Sequence, residues 1–104
     1  MEAPKHLSPE ATDLWRSIVE DYGIDDDAGQ LILTSALEAF DRMREAQATL
    51  AKDGATVMDR FDQVKAHPAV NTERDSRIAL MACLKQLNLD LEPLRDTVGR
   101  PPQK

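Results

Sequence analysis

The stretch from Asp25 to Gly54 constrains this chain most, because it is the longest segment that reads as one regular element. Ile32, Ala36, Ala39, Phe40, Met43 and Leu50 recur at three- and four-residue steps, which places them on one face of an α-helix. Asp25 or Asp26 supplies a cap at its start, since a short carboxylate accepts hydrogen bonds from free backbone N–H groups and favours the positive end of the helix dipole. Gly54 supplies a left-handed stop. Such a helix runs roughly 40 Å, so the rest of a small domain must pack alongside it. Leu33 and Leu37 widen the apolar arc to close to half the circumference, while Leu31 falls among Glu38, Asp41, Arg42 and Glu45 on the polar side. An arc this wide needs two or more neighbours. Either it is an ordinary two-sided core helix, or other copies of the chain cover part of it, with Leu31, Leu33 and Leu37 at the contact.

The chain has 104 residues and only four aromatic side chains, Trp15, Tyr22, Phe40 and Phe61. One domain with an aliphatic core follows, and a monomer of this size has a thin margin of stability that oligomerisation would widen. The single cysteine, Cys83, excludes an internal disulfide; its Ala-Leu-Met-rich setting suits a buried small hydrophobe in a reducing cytoplasm. No apolar run is long enough to span a bilayer and the N-terminus shows no signal-peptide pattern, so a soluble, unexported protein is expected.

The formal net charge of −6 argues against a protein that coats nucleic acid generally. The charge is uneven, however. Residues 1–59 hold 5 Lys/Arg and 13 Asp/Glu, a balance of −8, whereas residues 60–104 hold 8 against 6, a balance of +2. An anionic partner would meet the second half, through contacts that are weak and salt-sensitive unless many copies act together.

Before the long helix, residues 1–7 read as a short extended arm carrying Lys5 and His6. Ser8-Pro9-Glu10 then starts a helix: Ser8 caps, Pro9 fits the first turn, and Glu10 suits the dipole. Ala11, Leu14, Trp15, Ile18, Val19 and Tyr22 form one stripe down to Gly23. Trp15 and Tyr22 could make an aromatic platform, but their helical spacing beside Ile18 favours the core. After Gly54, residues 56–65 read as a small hairpin or extended flap whose turn, 59–63, lacks the usual glycine. Pro68 restarts a third helix over 69–87, with Asn88 as a left-handed stop. Glu73 and Arg77 form a favourable i, i+4 pair. The apolar end of this helix divides into Leu80, Leu84 and Leu87 on one face and Ile78, Met81 and Ala82 on the other, the second free for a neighbouring subunit. Residues 92–104, with Pro93, Gly99, Pro101 and Pro102, read as a flexible tail after a helical oligomerisation domain over 8–91.

Catalytic chemistry finds little footing. There is no phosphate-binding glycine loop, no Gly-x-Ser-x-Gly and no paired-histidine metal motif, so neither catalytic nor metal residues nor a cofactor are expected. Asp25-Asp26-Asp27 lacks the alternate ligand spacing of a calcium loop and reads as a helix cap. His67 with Asp59 or Asp62 could be drawn as an acid–base pair, but its place before Pro68 marks a helix start.

Several segments together resemble a family. Ala3-Pro4-Lys5-His6-Leu7-Ser8-Pro9-Glu10-Ala11 with Leu14-Trp15, then Asp59-Arg60-Phe61, Lys65-Ala66-His67-Pro68-Ala69-Val70, Glu73-Arg74-Asp75, Leu87-Asn88-Leu89-Asp90 and Gly99-Arg100-Pro101-Pro102, are similar to the short, P-loop-free small subunits of tailed-phage terminases. Asp62 and Asn88 stand where that pattern has glycine; Asn88 tolerates the same backbone, whereas Asp62 bears on the tightness of the turn. The elements read above make a mainly α, three-helix protomer with a long central helix, and the resemblance implies a ring-type homo-oligomer of roughly seven to twelve copies, within what closed symmetry permits. It implies a non-catalytic subunit in the host bacterial cytoplasm that binds viral double-stranded DNA at the packaging start and regulates the terminase large subunit, an ATPase and nuclease. The large subunit would be met through residues 92–104. The DNA-binding candidates are Lys5, Arg60, Lys65, Arg74 and Arg77; the oligomer-interface candidates are Leu31, Leu33, Leu37, Ile78, Met81 and Ala82. For Arg74 and Arg77 the competing reading is ion pairing with Glu73 and Asp75. The competing function is a helical adaptor that oligomerises and binds only protein.

Overall fold

A computed structural model describes residues 2–88 of the chain. The elements follow in the order α1 (Pro9–Tyr22), α2 (Asp27–Asp53), β1 (Thr56–Met58), β2 (Val64–Ala66) and α3 (Pro68–Gln86). Each boundary has a local cause. Ser8 caps α1 by accepting from the Ala11 N–H, and Gly23 closes it in the left-handed conformation. Asp26 caps α2, its Oδ2 accepting from the Gly29 N–H at 3.0 Å, so one residue of the acidic triplet is a helix cap. Asn88 has φ 58 and ends α3 as a left-handed stop.

Gly54 closes α2 differently from expectation. Its φ of 85 is positive but its ψ of 166 lies outside the left-handed helical well, in a region open essentially to glycine alone. Gly29 is fixed by space instead. A Cβ there would lie 2.7 Å from Asp26 Oδ1 and 2.9 Å from Ile24 Cγ2. Gly29→Ala is therefore expected to destabilise the protein by about 1–2 kcal/mol through loss of the cap, despite alanine's better helix propensity. Urea denaturation of the two proteins checks this, and an increase in stability would show that the cap simply shifts aside.

α2 is the axis of the molecule. The start of α1 is tied to its middle: the Ser8 N–H donates to Asp41 at 2.9 Å, the Ser8 hydroxyl donates to the same carboxylate, and Arg44 donates to Glu10 at 3.1 Å. α3 returns beside it, Gln47 donating to Glu73 at 3.0 Å and Asp53 pairing with His67 at 3.1 Å. Both flanking helices therefore run antiparallel to α2. The core gathers Leu7, Ala11, Trp15, Ile24, Leu33, Leu37, Phe40 and Met43, with Leu80 and Leu87 packed on it.

Three expectations change here. Leu33 and Leu37, candidates for an intersubunit contact, are 0% and 1% exposed inside a single protomer, so the wide arc of α2 is filled by α1 and α3 of the same chain. Each contributes about 1.5–3 kcal/mol by leaving water. The N-terminal arm, expected to be extended, turns at residues 5–7: Leu7 is buried in the core and its N–H donates to Pro4 O at 3.4 Å. Cys83 is only half-buried. The tail expected at 92–104 lies outside the described residues.

Candidate nucleic-acid interface

The hairpin between α2 and α3 forms around a carboxylate rather than a glycine. β1 and β2 pair antiparallel with Thr56 opposite Ala66, Val57 opposite Lys65 and Met58 opposite Val64. Asp59 closes the loop: its N–H donates to Gln63 O at 2.9 Å, its carbonyl accepts from the Asp62 N–H at 3.0 Å, and its Oδ1 accepts from the N–H groups of Phe61 and Gln63 at 2.8 and 3.0 Å. Asp62 takes φ 60, the left-handed bulge position of a three-residue hairpin loop. The turn is tight without glycine, because Asp tolerates that conformation and a second carboxylate neutralises the local N–H groups. His67 then begins α3. Its Nδ1 accepts from the Ala69 N–H at 2.9 Å, so its Nε2–H donates to Asp53. His67 is thus a cap joined to the end of α2 through Asp53 rather than paired with Asp59 or Asp62, and Asp59 is occupied by the turn.

The cationic candidates separate into three settings. Arg60 and Lys65 both stand exposed on the hairpin, with Arg60 over the Phe61 ring at 5.1 Å, and neither forms an ion pair among the described residues. They line an open depression of about 650 Å³ together with Val57, Met58, Asp59, Phe61 and Pro68. Arg74 pairs with Asp75 at 3.4 Å, and Arg77 pairs with Glu73. Lys5 is exposed but sits elsewhere: its neighbour His6 bonds Glu38 at 2.7 Å, about 20 Å along α2 from the hairpin at 1.5 Å per residue. The structure brings Arg60 and Lys65 together beside one depression, pairs Arg74 and Arg77 with carboxylates of α3, and sets Lys5 elsewhere.

The same hairpin carries apolar surface absent from the candidates drawn from the sequence. Met58, Phe61 and Val64 are all large hydrophobics left in solvent. Met58 and Val64 are cross-strand partners on one face, and Phe61 stands in the turn. The available signal was an aromatic residue inside a turn, where no core can reach it. With Arg60 and Lys65 balanced by Asp59 and Asp62, the loop and its flanks are apolar and locally neutral rather than basic.

Of the interface candidates, Leu31, Ile78 and Met81 are 69%, 61% and 59% exposed, and Ala82 is exposed beside them. Among the described residues no three of His, Cys, Asp and Glu converge on a point that could hold a metal ion. No helix among them is long and apolar enough to cross a membrane.

Glu73 has the one resolved shift in acidity among the described groups. Its carboxyl is held below the usual carboxylate range by the Gln47 amide that donates to it and then by Arg77, against the opposing effect of partial burial. A lowered folded value means that the stabilisation is present above the ordinary carboxylate range and is lost as pH falls through Glu73's own value. Glu73→Gln should therefore narrow the stability gap between about pH 7 and about pH 3, read by urea denaturation at each pH. An unchanged gap would remove Glu73 from the acid response.

Neither a family model, nor a curated protein, nor a solved structure matches this chain.

Proposed function

We propose that the chain is the non-catalytic small subunit of a phage DNA-packaging terminase, assembling into a ring that binds viral double-stranded DNA at the packaging start and regulates the large ATPase/nuclease subunit. The observation that carries the reading is the incompleteness of α3. Of its 19 residues only Ser76 is buried, while Ile78, Met81 and Ala82 lie in solvent. A helix so little covered by its own chain suits a protomer completed by other copies. The order of motifs, which resembles that of terminase small subunits, suggests the functional class, and the cations Arg60 and Lys65, without an ion pair among the described residues, offer a place for phosphate, repeated in every copy. The large subunit would dock elsewhere, residues 92–104 being the segment proposed for it, in the host bacterial cytoplasm.

The mass of the intact particle, by native mass spectrometry or light scattering, tests this first. A closed assembly of roughly seven to twelve copies that shifts duplex DNA at low salt is the expected result. A monomer at all concentrations, with no DNA shift, would overturn it. The neutral charge and apolar tip of the hairpin favour one competitor, an oligomerising adaptor that binds only protein. That reading gains if deletion of residues 92–104 abolishes capture of a protein partner while no DNA shift occurs at any salt concentration.

A further inference from the structure

The outward face of α3 has a pattern that matches itself when reversed. Asp75, Ile78, Ala82 and Lys85 are all exposed and follow one another at steps of three, four and three residues. These are successive a and d positions of a heptad, the seam by which two helices pack. The sequence of steps is symmetric about Leu80, and the chemistry at its ends is opposite in sign. In an antiparallel pair of such helices, a positions meet d positions of the partner. Ile78 then meets the small Ala82 of a second copy, and Asp75 meets Lys85 of that copy, each contact occurring twice.

We propose that this face is a two-fold contact between copies of the chain, formed by antiparallel packing of α3 on α3. Three observations converge on a second copy as the occupant. Charge complementarity is reciprocal, as a two-fold axis requires. The large residue faces a small one, so the seam closes without collision. Met81, at the edge of the seam, adds an apolar side chain that is 59% exposed. Among the described residues Asp75 pairs only with its sequence neighbour Arg74, at 3.4 Å on the surface, and Lys85 has no ion pair. A closed assembly that contains such a two-fold contact has an even number of copies.

The contact also fixes the distance between hairpins. His67 lies thirteen residues from the centre of symmetry, so the two hairpin bases stand about 39 Å apart along the pair. This is close to the roughly 34–36 Å between successive turns of B-form DNA. The match would let Arg60 and Lys65 of both copies meet phosphates on one side of a duplex; this step rests on the proposed DNA-binding function, whereas the contact itself does not.

Charge exchange tests the contact directly. Asp75→Lys places lysine against lysine twice, and Lys85→Asp places aspartate against aspartate twice. Within one chain these positions are about 15 Å apart, too far to compensate each other. Each single variant should pair at least tenfold more weakly than the wild type in analytical ultracentrifugation. An equimolar mixture of the two should pair again as a heterodimer, because each end of the seam then sets a lysine of one variant against an aspartate of the other. This recovery also shows that both variants fold. Variants that pair as the wild type does, or a mixture no tighter than its components, would overturn the contact. A wild-type ring with an odd number of copies, unchanged by either substitution, would overturn it too and leave the ring reading standing. A wild type that pairs with this charge dependence but never shifts DNA supports the contact and overturns the packaging reading.

Discussion

Trp15→Ala is expected to lower the stability of the protomer by about 3–5 kcal/mol, the usual cost of removing a fully packed aromatic side chain. Trp15 is 2% exposed and stands between α1 and α2 in the cluster that includes Leu7, Leu33, Leu37 and Phe40. The surrounding helices are capped, and the start of α1 is hydrogen-bonded to α2, so they relax only partly into the space. Domains of this kind are stable by only about 5–15 kcal/mol in total, and loss of this side chain removes a large share of that margin. The indole carries an additional liability, because its Nε1–H is buried without a hydrogen-bond partner among the described residues. An unsatisfied buried donor costs about 1–3 kcal/mol. Trp15→Phe therefore gives up volume but also removes that penalty, and should cost far less than Trp15→Ala. Urea denaturation of the three proteins reads both effects. A Phe variant as unstable as the Ala variant would mean that the indole N–H is satisfied, for instance by water, and that ring size alone decides.

The second large effect concerns the hairpin. Reversing both free cations, with Arg60→Glu and Lys65→Glu together, should weaken the proposed binding of duplex DNA by at least about a hundredfold at low salt. For every phosphate no longer neutralised, the dependence of log affinity on log salt also falls by about 0.9. Both side chains are exposed, so the change should leave the thermal midpoint and particle mass almost unaltered. Arg74→Glu is the matched control. Its guanidinium is already engaged with Asp75, so reversing it should alter binding by a much smaller factor. Electrophoretic shifts across a salt series separate the two. Equal losses from the two variants would move the DNA surface to α3, and no loss from either would place any nucleic-acid contact outside Arg60, Lys65 and Arg74.

Much of the fold was legible because its signals are local. Ser8 and Pro9, Asp26, Gly23, Pro68 and Asn88 mark helix ends through hydrogen bonds or backbone preferences that involve only a few neighbouring residues. The hairpin was legible from the short β-compatible runs on either side of Asp59-Arg60-Phe61-Asp62, although its missing glycine counted against it. What made the turn tight was a backbone tolerance of Asp62 together with four hydrogen bonds between Asp59 and backbone groups of the turn. Those depend on local geometry that residue type only permits. The candidate site was less legible. Arg60, Lys65, Arg74 and Arg77 look alike as a string of cations, but two form ion pairs and two do not among the described residues, and the exposure of Phe61 showed only through its place in the turn.

The sequence by itself determined where the helices begin and end, which face of each is apolar, and that α2 would be the axis. Only the tertiary structure decided which apolar residues that axis would bury. Helical periodicity places Leu33, Leu37 and Leu31 around one cylinder, and Leu80 and Ile78 around another, without saying where the neighbouring helices lie. Once α1 and α3 take up their positions beside α2, Leu33 and Leu37 are sealed within one chain, while Leu31, Ile78 and Met81 remain in solvent. The difference is a matter of angle: a pattern fixes a direction from the helix axis, and burial requires a partner standing in that direction.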